Sequence, residues 1–323
     1  MVSMMRMSLN DGTGAFAPAL EIPWLGSDYL AGIADLDGDG DLDVVSGRCI
    51  LYARRPLTES LHPLLGSTQT ERTLADVDGD SDPDFNLGWR IMKRNLGDGR
   101  SADFPWTFPV PPAGTQFAGP GWPGDFDADG DVDFVVDHLA GATFLSQRLL
   151  TNLGGGAFVD GGAAGPGGVD FNPGATYYPN HPESSLATDA DADGDLDLVT
   201  RGSDGAVYAS RLWWNDGAGH FAAGPEFQGE FIRWIGDLTG DGIPDLASVT
   251  KTCSICEDTG WRKGFGGGAF GSHTELSPVD SQSVPFAVAD LDADGDLDFA
   301  IAYGFRLNVY WNDGSGVFTE EWV

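Results

Sequence analysis

Apolar residues in this chain come in short runs, and each run breaks at a glycine or at a crowd of aspartates. One kind of run leads into an acidic stretch: YLAGIAD (29–35), FIRWIGD (231–237) and VPFAVAD (284–290). A second kind leaves it: DLDVVSG (41–47), DLDLVTRG (195–202) and DLDFAIAYG (296–304). A third, as in RLWWNDG (211–217) and LNVYWNDG (307–314), ends on Asn and Gly, and a fourth opens with Phe, as in GAFAPALEI (14–22). Short apolar runs punctuated by turn residues read as strands. The expected class is all-β.

The acidic stretches share one layout. They are DLDGDGDLD (35–43), DVDGDSDPD (76–84), DFDADGDVD (125–133), DADADGDLD (189–197), DLTGDGIPD (237–245) and DLDADGDLD (290–298). All have Asp at places 1, 5 and 9, and five of the six have it at place 3. Carboxylates spaced so closely repel one another unless a cation sits among them. Calcium takes six to eight hard oxygens, and a glycine at a sharp turn lets alternate side chains point inward. Up to six Ca2+ ions are therefore expected. The candidate ligands are Asp35, Asp37, Asp39, Asp41 and Asp43 in the first loop and Asp76, Asp78, Asp80, Asp82 and Asp84 in the second. The third offers Asp125, Asp127, Asp129, Asp131 and Asp133, and the fourth Asp189, Asp191, Asp193, Asp195 and Asp197. The fifth offers Asp237, Thr239, Asp241, Ile243 and Asp245, and the sixth Asp290, Asp292, Asp294, Asp296 and Asp298.

Loop starts are 41, 49, 64, 48 and 53 residues apart, a repeat period. Between them recur Asn-Gly turns: NDGTGAF (10–16), NLGDGRSADF (95–104), NLGGGAF (152–158), NDGAGHF (215–221), FGGGAF (265–270) and NDGSGVF (312–318). Asn and Gly both tolerate positive φ, so these read as hairpin turns. Four antiparallel strands per unit, repeated in a ring, make a β-propeller. The expectation is one propeller domain over 1–323: an N-terminal hairpin (1–28) as a partial blade, then six repeats (29–323). Seven blades are favoured over six. An EF-hand is excluded, because it needs flanking helices and a Glu at place 12, where this chain has Ser46, Leu87, Val136, Thr200, Ser248 and Ile301. Thrombospondin-type calcium repeats would be far shorter and would carry cysteines.

The pairing of DxDxDGxxD loops with N-x-G-x-G-x-F turns resembles the FG-GAP/VCBS repeats of integrin α-subunit propellers and of many secreted bacterial proteins. The resemblance covers nearly the whole chain. It implies that places 1, 3, 5 and 9 bind calcium through side chains and place 7 through its backbone carbonyl. It also implies a secreted or cell-surface setting. Two loops depart from the pattern: the second has Ser81 where glycine belongs, and the fifth has Thr239 at place 3 and Ile243 at place 7. These two are expected to bind most weakly.

The formal charge of −33 changes meaning in this light, since 28 of the 50 acidic residues lie in the six loops. The acidity is chiefly ligand inventory. With only 17 Lys and Arg, no basic stripe is available, and nucleic acid is not an expected partner. No run of 18 apolar residues exists, so membrane insertion is not expected either. Cys253 and Cys256 form a lone CxxC, read as a local disulfide or two thiols, and Cys49 as a small buried residue. The start MVSMMRMSLNDG lacks the apolar core of a secretory signal, which is expected to be removed or encoded upstream.

Strand order puts the acidic loops and the Asn-Gly turns on one face. The variable connections lie on the other, where function usually resides. The longest, 159–185, carries Tyr177, Tyr178, Asn180 and His181, and a neighbouring connection brings Asp137 and His138. Trp24, Trp106, Arg201, Asp204 and Trp261 are further candidates there, whereas Trp122, Trp234, Trp214 and Trp311 read as packing. Aromatic rings beside Asn, Asp and Arg suit a carbohydrate or an extracellular protein. The leading expectation is a calcium-stabilised adhesin or lectin-like module. One alternative is a polysaccharide lyase using His138, His181 and Tyr177 in proton transfer. Another is a structural subunit that forms homo-oligomers by exchanging its N-terminal hairpin.

Overall fold

A computed structural model describes residues 3–7, 15, 20–24, 30–46, 49–52, 60–63, 74–86, 92–103, 107–141, 143–163, 185–203, 208–251, 257–279, 286–303 and 306–322. Among them every regular element is a strand. Six sheets have four strands each, joined antiparallel in chain order. The first comprises Leu30–Ala34, Asp43–Ser46, Cys49–Tyr52 and Ser60–Pro63, and the second Leu74–Ala75, Asp84–Asn86, Met92–Asn95 and Ser101–Asp103. The third is Gln116–Gly124, Asp133–Ala140, Thr143–Asn152 and Phe158–Ala163, and the fourth Ser185–Thr188, Asp197–Ser203, Tyr208–Asn215 and Phe221–Gln228. The fifth is Glu230–Gly236, Asp245–Lys251, Glu257–Arg262 and Thr274–Val279, and the sixth Phe286–Ala289, Asp298–Tyr303, Arg306–Asn312 and Phe318–Trp322. The N-terminal hairpin is a separate two-stranded sheet, Ser3–Met7 paired with Leu20–Trp24.

The second strand of each unit shows why the apolar run after the aspartates is continuous. Successive side chains on a strand point to opposite faces, and here both faces are covered. Phe134 and Val136 pack toward Val77 of the second sheet's acidic loop. Val135, between them, packs toward Leu198, Trp213 and Phe221 of the fourth sheet. Leu198 and Val199 divide in the same way, as do Leu246 and Ala247. Such a strand needs apolar residues at consecutive positions, not at alternate ones.

The core is therefore a series of junctions between consecutive sheets. The place-2 residue of five of the six acidic loops plugs one of them: Leu36, Val77, Phe126, Ala190 and Leu238 are each 0–1% exposed, while Leu291 is only half-buried. Phe158, Phe221, Phe270 and Phe318, which follow turns, each seal the junction with the preceding sheet. Phe221 meets Phe126 edge-on at 5.7 Å, and Phe318 meets Trp261 of the fifth sheet edge-on at 6.1 Å. Burying a Leu or Phe side chain contributes roughly 1.5–3 kcal/mol. This stacking of small antiparallel sheets is β-propeller construction.

Candidate metal centres and ligand face

Each acidic loop is a wrapped turn. Its place-1 carboxylate accepts the place-6 amide, as in Gly40 N to Asp35 Oδ2 (2.9 Å), Gly130 N to Asp125 Oδ2 (3.0 Å) and Gly242 N to Asp237 Oδ2 (2.7 Å). Its place-5 carboxylate accepts the place-7 amide, as in Asp131 N to Asp129 Oδ1 (3.0 Å). Place 9 is fully buried in every copy. One of its oxygens accepts the place-2 amide, at 2.9 Å for Ala190 N to Asp197 Oδ2. The other accepts the amide that ends the third strand, at 2.8 Å for Asn152 N to Asp133 Oδ1 and 2.9 Å for Asn215 N to Asp197 Oδ1. That second bond puts the loop and the Asn-Gly turn at the same end of the sheet.

Three carboxylate oxygens lie within 4.8 Å of one another in each of five loops. The residues are Asp35, Asp37 and Asp39; Asp76, Asp78 and Asp84; Asp125, Asp127 and Asp133; Asp189, Asp191 and Asp197; and Asp290, Asp292 and Asp294. The fifth loop, with Thr239 at place 3, shows no such group among the described residues. No place-7 side chain joins a cluster. The carboxylates of Asp82, Asp195 and Asp296 lie instead against Gly97, Gly217 and Gly314, where an added Cβ would come within 2.4–2.6 Å of them.

The donor set fits a hard divalent cation. Asp127 Oδ1 and Asp191 Oδ1 are buried and accept no hydrogen bond, a costly state for an ionised oxygen unless a cation faces it. Burial, then the neighbouring Asp129 or Asp193 charge, holds these two carboxyls above the usual range. Burial likewise pushes Asp84 up to about 6 and Asp133 and Asp197 up to about 7, against the hydrogen bonds they accept.

Ser81 has φ 76°, the left-handed geometry that glycine adopts at place 6 elsewhere, so its backbone is strained. Place 4 is left-handed as well, and there Ala128, Ala192 and Ala293 have φ of 58–66°. The described turn asparagines, by contrast, are not at positive φ; the glycines after them are. The Asn is used through its side chain. Asn215 Nδ2 donates to Leu196 O (3.1 Å) in its own loop and to Phe126 O (2.8 Å) in the preceding one. Asn312 does the same with Leu297 and Leu238. The sequence reading took these residues for turn formers and missed the bridge.

The opposite face is only partly described. Tyr177, Tyr178, Asn180, His181, Trp106, Asp204, Cys253 and Cys256 lie outside the described residues, as do the side chains of Trp24 and Cys49. Asp137 and Arg201 occupy one register in adjacent sheets, each four residues past its place-9 Asp, and are 2% and 8% exposed. His138 is 7% exposed, its Nε2 lies 2.8 Å from Thr115 Oγ1, and burial lowers its pKa. The imidazole is enclosed. Trp261, expected on this face, is a correction: it is 7% exposed in the junction between the fifth and sixth sheets, 6.1 Å from the Phe318 ring. Its strand register turns it inward, toward Gly316 of the next turn. Trp122, Trp234 and Trp214 pack on the junctions as expected, and Trp311 donates to Glu321 Oε2 (2.7 Å).

Residues 189–248 match the FG-GAP-like repeat. That FG-GAP-like segment runs from the fourth acidic loop into the second strand of the fifth sheet, and so contains both a complete and a depleted loop. Eleven solved chains are similar in structure. One is a lectin of Agrocybe aegerita described in terms of its specific recognition of non-reducing terminal N-acetylglucosamine. The likeness covers 99% of this chain and 89% of that one, with a TM-score of 0.60 and 17% identity. At that identity the likeness is one of fold. No curated protein matches the chain.

Proposed function

We propose that this protein is a calcium-braced β-propeller that recognises carbohydrate outside the cell and carries out no chemistry on it. The N-terminal hairpin belongs to this reading as a partial seventh blade of a single domain. The observation that carries the recognition half is the likeness, over 99% of the chain, to a lectin that recognises terminal N-acetylglucosamine. The division of the molecule supports it. One end of the sheets is uniform and committed to carboxylate turns, which leaves the variable connections for a ligand. The calcium half rests on the converging oxygens and on the buried, unpaired Oδ1 atoms of Asp127 and Asp191. In the proposed holo protein, places 1, 3, 5 and 9 would hold the ion, whose part is to neutralise and fix the loop.

A glycan array, including chains that end in N-acetylglucosamine, tests the recognition half in calcium. Binding to a restricted glycan set, lost in Tyr177→Ala or Tyr178→Ala with an unchanged melting curve, is the expected result. No retention on any glycan, or retention indifferent to both changes, contradicts it.

A further inference from the structure

In each of the two loops that depart from the ligand pattern, a side-chain cation at the end of the third strand reaches the loop carboxylates. In the second loop, Arg94 Nε lies 2.7 Å from Asp78 Oδ2 and Arg94 Nη2 lies 2.7 Å from Asp80 Oδ2. The guanidinium thus holds the side chains at places 3 and 5. In the fifth loop, Lys263 Nζ lies 2.9 Å from Asp241 Oδ2, again at place 5.

The two cations come from one structural position. Each stands one residue past the third-strand residue that pairs with the position after place 9: Lys93 opposite Phe85, and Arg262 opposite Leu246. The same register holds Thr151, Trp214 and Trp311 in the third, fourth and sixth sheets, and Tyr52 in the first. None of these is a cation. The basic residue occurs only where the loop has lost its place-6 glycine (Ser81) or its place-3 carboxylate (Thr239).

We infer that Arg94 and Lys263 stand in for the metal in the second and fifth loops, so that the protein takes up four calcium ions and closes the other two loops with its own side chains. A guanidinium that bridges two would-be ligands, or an ammonium held against one, supplies the positive charge an ion would bring and also obstructs the ion's entry. A covalently attached cation needs no free calcium, so these two turns hold their shape at any calcium concentration. The second loop still gathers Asp76, Asp78 and Asp84, so it lacks only vacancy. The fifth lacks a ligand as well.

This inference rests on the calcium reading, and the count of bound ions separates the two. Native mass spectrometry of the whole chain, after exchange into calcium, reads the count on folded protein. Four ions are expected for the unaltered protein, five for Arg94→Thr, four for Lys263→Thr, and five for Lys263→Thr combined with Thr239→Asp. Six ions on the unaltered protein would overturn the inference while leaving the calcium reading intact. Zero would end both. Four ions on both the unaltered protein and a folded Arg94→Thr would remove Arg94 from the account. Because the unaltered count alone distinguishes four from six, a variant that fails to fold does not shield the claim.

Discussion

The side-chain amide of Asn152 donates to the carbonyl of Val77, 75 residues earlier, at 3.0 Å. The same nitrogen donates to Val132 O (3.1 Å), so one side chain clasps two consecutive acidic loops. Asn215 and Asn312 repeat the clasp on Phe126 and Leu238. Asn95 does not: its Nδ2 is buried without an acceptor. Removing a donor strands the buried acceptors it served, at about 1–3 kcal/mol. Asn152→Ala and Asn215→Ala should each cost about 2 kcal/mol in denaturant unfolding, and Asn95→Ala distinctly less. Equal losses at all three positions would show that the inter-sheet bond is not what matters.

Ala128, Ala192, Ala293 and Ser81 sit exposed in left-handed geometry. An L-residue there gives up roughly 1–2 kcal/mol relative to glycine. Glycine at any one of them should raise stability by about 1 kcal/mol, and gains at well-separated loops should add. Melting or denaturant midpoints read this directly. A loss of stability would mean the methyl or hydroxyl makes a contact worth more than the strain.

The buried carboxyls predict an unusual pH response in metal-free protein. Asp133 and Asp197 rise to about 7 and Asp84 to about 6 on folding, against about 3.9 in an unfolded chain. The folded state therefore binds more protons across this window, and stability falls as pH rises through the folded values. Without metal, the melting temperature should climb between pH 8 and pH 6. With calcium present the order reverses, because protons then compete with the ion. A metal-free melting temperature that drops on mild acidification contradicts the assignment.

Local pattern carried most of the fold into view. The Asp alternation at places 1 to 5, the strand that follows and the turn glycines all depend on neighbours within a dozen residues. What stayed hidden depends on register between distant strands. Trp261 looked like a loop-face aromatic because nothing in GWRKG shows which way the strand turns. The pairing of Arg94 with Asp78 and Asp80 needs the third strand laid against the second. The Asn152 clasp needs the next sheet. The left-handed alanines were legible, since place 4 alternates between Gly and Ala, but three methyls at positive φ run against the usual preference.

The central claim is that clustered carboxylates exist to hold calcium and so pin the stacked sheets. A ligand that binds only the folded state stabilises it by about 2.7 kcal/mol per site at a hundred times its dissociation constant. Calorimetric melts in metal-free buffer and in rising calcium, with magnesium as the control ion, test this most directly. The account predicts a melting temperature that climbs steadily with the logarithm of calcium and far less with magnesium. Superimposable melts with and without calcium would contradict it.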